Sequence, residues 1–121
     1  MILPIGLIIK QSPIQGNGVF ATQYFPAGFC FGSFTGTTMN IKDFHSIYGK
    51  DYRYCYRLGR INKIICAKEC RNFITYINDG IHNRPIPGIN VMLKKKALCA
   101  VNDINPGDEL LLDYGYSYPW Y

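Results

Sequence analysis

The stretch Asn105-Pro106-Gly107-Asp108-Glu109-Leu110-Leu111-Leu112-Asp113-Tyr114-Gly115-Tyr116 decides how the rest of the chain is read. A Pro-Gly pair marks a turn, an apolar run follows, and the run stops at Asp-Tyr-Gly. That order predicts a strand over 109–113 entered from a tight turn. Behind it, Tyr116-Ser117-Tyr118-Pro119-Trp120-Tyr121 is dense in aromatic side chains. Taken alone, the region is a packed terminal strand with a surface aromatic cluster.

The balance of charge changes sign close to this stretch. Residues 102–121 hold Asp103, Asp108, Glu109 and Asp113 and no base, a net of −4. Residues 1–101 hold all thirteen Lys and Arg with four acids (Asp43, Asp51, Glu69 and Asp79), a net of +9. A basic body suits nucleic acid or another anion, and an acidic edge suits a basic peptide. Ordinary solvated charge would read the same way.

A length of 121 residues predicts one domain over 1–121. Hydrophobic residues at 48%, charged at 17% and aromatic at 15% exclude disorder, coiled coil and collagen. No apolar run approaches the roughly 18 residues of a spanning helix, so no membrane is expected. The apolar start, residues 1–9, is interrupted by Pro4 and Gly6 and lacks a basic leader and a cleavage site. It reads as a first strand rather than a signal peptide, which predicts an intracellular protein. Cysteines stand at 30, 55, 66, 70 and 99 without a Cys-x-x-Cys pair or a His pair at ligand spacing. No metal is expected, and the cysteines read as buried free thiols.

Short runs rich in Val, Ile, Phe and Tyr alternate with Gly, Pro and Asn. They predict strands at 7–11, 18–21, 29–35, 52–58, 61–66, 89–93 and 97–100 besides 109–113. A short helix is expected at 41–48 and one helical turn at 71–77. The class is mostly β and rich in loops.

Three further segments carry possible chemistry. Gly16-Asn17-Gly18 follows a strand, and two glycines around one residue allow close approach of a ligand to backbone N–H groups. The same residues suit a hairpin turn. In Asn72-Phe73-Ile74-Thr75-Tyr76-Ile77-Asn78-Asp79-Gly80, an Asn-Asp pair follows an apolar run. It suits either an Asx turn or a hold on a ligand's polar edge. Lys94-Lys95-Lys96 suits a solvated hairpin turn or contact with DNA phosphates. His45 and His82 are singletons with surface or loop roles.

In this order, Gly16-Asn17-Gly18-Val19-Phe20-Ala21, the 72–79 run, Ile89-Asn90-Val91 and the 106–115 run resemble the SET-domain protein lysine methyltransferases. The likeness spans about residues 7–120, and the compact form is most similar to minimal viral members without flanking zinc-binding segments. The resemblance implies a β-clip-like fold of small sheets with short helices and a C-terminal pseudoknot. It implies S-adenosylmethionine as methyl donor and a lysine side chain, in a histone tail, as acceptor. It places Tyr114 as the catalytic tyrosine, and Gly16, Asn17, Gly18, Asn78, Asp79, Tyr114 and Trp120 around the donor. Asn90 resembles the later Asn that closes the asparagine motif. It also places Tyr54, Leu112 and Tyr116 along the lysine channel. It further implies a homodimer or the aromatic end to complete that channel, and a nuclear or host-nuclear location. The sequence departs from the family at Asp79, where relatives carry His, and at Leu112, where many carry Phe or Tyr. Two other readings stand beside it: a catalytically inactive SET-like module that binds peptides, and a nucleic-acid-binding β domain.

Overall fold

A computed structural model describes residues 1–58, 61–80 and 88–113. The period-two pattern of the sequence becomes ten short strands among these residues, distributed over four small sheets. Strands β1 (Leu7–Gln11) and β2 (Asn17–Ala21) form an antiparallel hairpin. Strand β3 (Cys30–Ser33) joins β9 (Ala97–Ala100) and β8 (Val91–Lys94) in the order β3-β9-β8. Strand β4 (Thr37–Asn40) joins β6 (Lys63–Cys66) and β5 (Cys55–Arg57) in the order β4-β6-β5. The last pair, β7 (Asn78–Asp79) and β10 (Leu111–Leu112), is parallel.

One α-helix, α1 (Ile41–Tyr48), begins where Asn40 takes an extended backbone and its side chain accepts the Lys42 N–H at 2.8 Å. It ends at Gly49 (φ +66), whose N–H donates to the His45 carbonyl. Its Phe44 is wholly buried and stacks on Tyr52, with ring centroids 5.6 Å apart. The turn predicted at 71–77 is a 3-10 helix, Phe73–Tyr76, capped by buried Asn72.

The β4-β6-β5 sheet separates two apolar clusters, because successive side chains on a strand point to opposite faces. Ile64, Cys66 and Cys55 join Phe44 under α1. Ile65, Ala67 and Tyr56 join the main core with Phe25, Phe34, Ile74, Ile77, Leu98, Leu110 and Leu112.

Several expectations change. The strand expected at 52–58 starts only at Cys55, because Tyr54 has φ +64, a left-handed backbone that no strand accepts. The strand expected at 29–35 shortens around a register shift between Cys30 and Gly32. Strand β4 was not anticipated, although its Thr37-Thr38 start is β-branched. The first strand begins at Leu7, leaving Met1, Ile2 and Ile5 exposed. The reading of all five cysteines as buried free thiols is corrected. Register sets Cys30 opposite Cys99 across β3 and β9, and the two form a disulfide. Cys70 is free but exposed, while Cys55 and Cys66 are free and buried. Burial, with Cys66 directly opposite, pushes the Cys55 thiol up to about 12.

Candidate functional site

The turn of the β1–β2 hairpin brings 12–17 back beside the last strand. Ser12 N–H donates to the Gly16 carbonyl at 2.7 Å, and Gly16 sits at φ +49. The Gly16-Asn17-Gly18 segment is thus a hairpin turn running into β2. Space beside Gly16 is open, since a Cβ there would meet nothing within 4 Å. Beside Gly18 the space is taken: a Cβ would collide with the Glu109 carboxylate and lie 3.2 Å from Asn78 Nδ2. Glycine at 18 therefore admits an internal side chain.

Several residues meet at this point. Asn78 Nδ2 donates to the carbonyls of Gln15 (3.1 Å) and Asn17 (3.2 Å) and to Glu109 Oε2 (2.9 Å). Ser12 Oγ donates to the same carboxylate, 2.9 Å from either oxygen, and accepts the Ile14 N–H at 3.0 Å. A carboxylate shared by a hydroxyl and an amide forms charge-assisted bonds, stronger than neutral ones. Asn78 thereby joins the hairpin turn to the chain's last described strand. Ser12 and Glu109 escaped the sequence reading. Glu109 counted there as a charge and as the start of a strand, not as a bonding partner, because its partners lie 97 and 31 residues away.

The last strand is threaded. Its N–H groups at Leu110 and its carbonyl at Asp108 first pair with Val19 and Ala21 of β2. Consecutive carbonyls of a strand then point to opposite edges. Leu112 O accepts from Gly80 N at 2.6 Å, and Leu111 O accepts from Asn90 N at 3.1 Å. Segment 78–80 thus lies on one edge and Asn90 on the other. Gly88 N donates to Gly80 O at 2.9 Å and closes the two flanks on each other. The fit is tight, for a Cβ at Gly80 would lie 2.9 Å from Leu111 Cβ and 3.0 Å from Gly88 O. The Asn90 side chain clamps the strand again: Nδ2 donates to Glu109 O and Oδ1 accepts from Leu111 N, both at 2.8 Å. Leu112 is wholly buried, and Asp79 is buried beside it in register.

Tyr54 belongs to a separate stack beside the 3-10 helix. The Arg71 guanidinium sits between two phenol rings, 3.7 Å from the Tyr54 centroid and 4.1 Å from that of Tyr76. Arg71 Nε donates to Thr75 Oγ1 at 2.9 Å and Nη2 to Thr75 O at 3.1 Å. Each cation–π contact contributes about 0.5–1 kcal/mol at an exposed site. The stack holds Tyr54 against the 3-10 helix, which ends two residues before Asn78. Arg71 and Tyr76 were not singled out in the sequence; their partner Tyr54 is too distant along the chain to suggest the stack. At the same edge, Arg53 donates to Asp51, and its guanidinium holds that carboxyl far below the usual carboxylate range.

The structure therefore brings Gly16, Asn17, Gly18 and Asn78 together with Glu109 and Ser12, and aligns Asp79 and Leu112 as neighbours. Tyr114, Tyr116, Trp120 and His82 lie outside the described residues. His45, a singleton in the sequence, is exposed and 2.7 Å from the Tyr52 hydroxyl. Among the described residues no group of three His, Cys, Asp or Glu side chains is placed to hold a metal ion.

The chain is 28% identical over 133 residues to N-lysine methyltransferase KMT5A-A of Danio rerio, covering 95% of this chain and 39% of that protein. It spans about two fifths of the length of that relative. Among solved structures, a humanized mutant of the Chaetomium thermophilum Polycomb Repressive Complex 2 bound to the inhibitor GSK126 superposes with a TM-score of 0.74. The match covers 96% of this chain and 16% of that chain, at 20% identity. KRYPTONITE in complex with mCHH DNA, H3(1-15) peptide and SAH gives 0.73 at 22% identity, covering 100% of this chain and 25% of that one. Both share the fold of this chain. The pattern of the SET domain matches residues 16–115, from the glycine turn to the far side of that strand, and the chain belongs to the SET domain family.

Proposed function

We propose that this chain is an S-adenosylmethionine-dependent protein-lysine N-methyltransferase that acts on a histone tail. The observation that carries the reading is the crossing at Asn78. It fastens the Gly16–Gly18 turn to the strand whose continuation is Asp113-Tyr114. Support comes from the N-lysine methyltransferase among the relatives, from a Polycomb structure bound to S-adenosylmethionine, and from the KRYPTONITE complex with SAH and an H3 peptide.

The residues fit the methionine end of such a donor. Space is open at Gly16, and the adjoining Asn78 is only half-buried. Gly16, Asn17, Gly18, Asn78 and Asp79 would hold that end, and Trp120 would stack on the adenine. When bound, the donor supplies a methyl group on a sulfonium, open to in-line displacement by an amine.

The remaining work belongs to the chain. A lysine ammonium has a pKa of about 10.4 and is no nucleophile until it loses its proton. Tyr54, Leu112, Tyr114 and Tyr116 would form a narrow apolar channel that favours the neutral amine. Positioning and exclusion of water then account for most of the rate. The Tyr114 hydroxyl would hold the amine nitrogen in line. An ordinary phenol has a pKa of about 10 and is a poor base near neutrality, so a path through water would serve to carry the proton away. The width left by Leu112 sets how many methyl groups are added. Tyr116 and the aromatic end, or a second copy of the chain, would complete the channel. A single domain over 1–121 and a nuclear or host-nuclear location complete the reading.

Mass spectrometry of core histones after incubation with the protein and S-adenosylmethionine tests it and reports acceptor and degree together. Tyr114→Phe should abolish transfer while calorimetry still detects donor binding; near-normal turnover would overturn the assignment. The second reading, an inactive peptide-binding module, is favoured by Asp79 in place of His. It predicts no donor binding at all.

A further inference from the structure

The β8–β9 hairpin pairs Lys94 with Ala97, which leaves a two-residue loop, Lys95-Lys96. Both loop residues have left-handed backbones, with φ +49 and +63. Such a turn favours Asn-Gly, since at positive φ a Cβ crowds the following carbonyl oxygen, Gly has no Cβ, and Asn tolerates the strain best among the others. Two lysines here set the turn against its own backbone preference. The turn is also held in place. Lys96 O accepts the Phe34 N–H at 2.7 Å, and Lys96 N donates to the Tyr56 hydroxyl at 3.3 Å. All three lysines, Lys94, Lys95 and Lys96, are exposed. Among the described residues the ion pairs gather on Asp51, and none engages these lysines.

A second hairpin lies alongside. Lys95, Lys96, Tyr56 and Leu58 line one hollow of about 350 Å³. Lys63, exposed at the start of β6, shares the strand face of Ile65, the face toward Tyr56. Its carbonyl accepts the Leu58 N–H at 3.0 Å. Two hairpin ends thus present unpaired ammonium groups around a small apolar floor.

We propose that the Lys63 and Lys94–Lys96 hairpin ends form a docking surface for the phosphate backbone of duplex DNA. Lysines are point charges that neutralise phosphates without reading base edges, so the surface is indifferent to sequence. Single strands call for exposed rings on which bases stack. Here the nearest ring, Tyr56, is buried and tilted on Phe34, with its hydroxyl already engaged. A duplex, with its dense and regular phosphate charge, is the polyanion this surface fits. The surface lies apart from the Asn78 crossing in the sheet order, and DNA binding needs no methyl donor. The inference leans on the proposed function only for where the duplex would come from, the DNA beside a histone tail.

The test is fluorescence anisotropy of a labelled duplex of arbitrary sequence, titrated with the whole chain over a range of salt, without methyl donor. Lys95→Asn with Lys96→Gly keeps the turn and removes two charges. It should lower the slope of log affinity against log salt by about two and weaken binding at least tenfold. Lys63→Gln should lower the slope by about one. Lys42→Gln in the first turn of α1 with Lys50→Gln just beyond its end removes the same charge and should leave the slope of the parent. An unchanged slope in the Lys95/Lys96 variant, an equal loss in the α1 control, or tighter binding to a single strand, RNA or an acidic peptide overturns the proposal. A chain that binds duplex but transfers no methyl group overturns the proposed activity alone. A chain that methylates histones but ignores duplex overturns the docking surface alone.

Discussion

Two hairpin turns of this chain both use left-handed backbone, and they use it to opposite ends. In the β1–β2 turn the left-handed residue is Gly16, at no steric cost, and its neighbours are bound internally: Gln15 and Asn17 carbonyls to Asn78, Ser12 to Glu109. In the β8–β9 turn the left-handed residues are Lys95 and Lys96, at a cost, and their side chains have no internal ion pair among the described residues. Relaxed backbone with satisfied side chains marks a piece of framework, which positions whatever sits beside it. Strained backbone with unsatisfied charge marks a surface kept for something outside the chain.

Three variants sharpen or break that contrast. The largest effect should come from Gly18→Ala. A Cβ displaces the Glu109 carboxylate and takes the Ser12 and Asn78 bonds with it, for a loss of about 3 kcal/mol in urea denaturation. A loss under about 1 kcal/mol would mean the crossing can relax around a methyl group. Next, Asn90→Ala leaves Glu109 O and Leu111 N without partners on the threaded strand and should cost about 2 kcal/mol. Amide exchange at Leu111 should quicken more than at Leu98 if the effect is local to the thread. Smallest, and of opposite sign, Lys95→Asn with Lys96→Gly should raise stability by about 1 kcal/mol by relieving positive φ. If that variant is less stable than the parent, the two turns do not differ in the way described.

Legibility in the sequence followed distance along the chain. The 41–48 helix was visible because it is a short local window, and the structure shows Asn40 capping it and Gly49 ending it. The 7–11 and 97–100 strands were visible from alternation and from the turns beside them. Gly18 and Asn78 were singled out, but as ligand-facing residues; their mutual bridge through Glu109 was not. Tyr54 was singled out as a ring, yet its left-handed backbone and its stack on Arg71 were invisible, since neither follows from neighbouring residues. Cys30 and Cys99 were read as thiols because nothing in a sequence reports the register of β3 on β9.

By itself the sequence determined the mostly β class, the turn chemistry at Gly16, and the four ordered segments that mark the SET family. Period-two alternation, turn chemistry and residue order are properties of short windows, and short windows suffice to express them. Only the tertiary structure decided that the last strand runs between Asn78 and Asn90, that Glu109 fills the place of a side chain at Gly18, and that Lys63 shares a face with Ile65 near the Lys95-Lys96 turn. Each of those depends on two surfaces being held within a few ångströms by the burial of Leu110, Leu112, Ile74 and Ile77 in one core, a condition that no stretch of chain can meet alone.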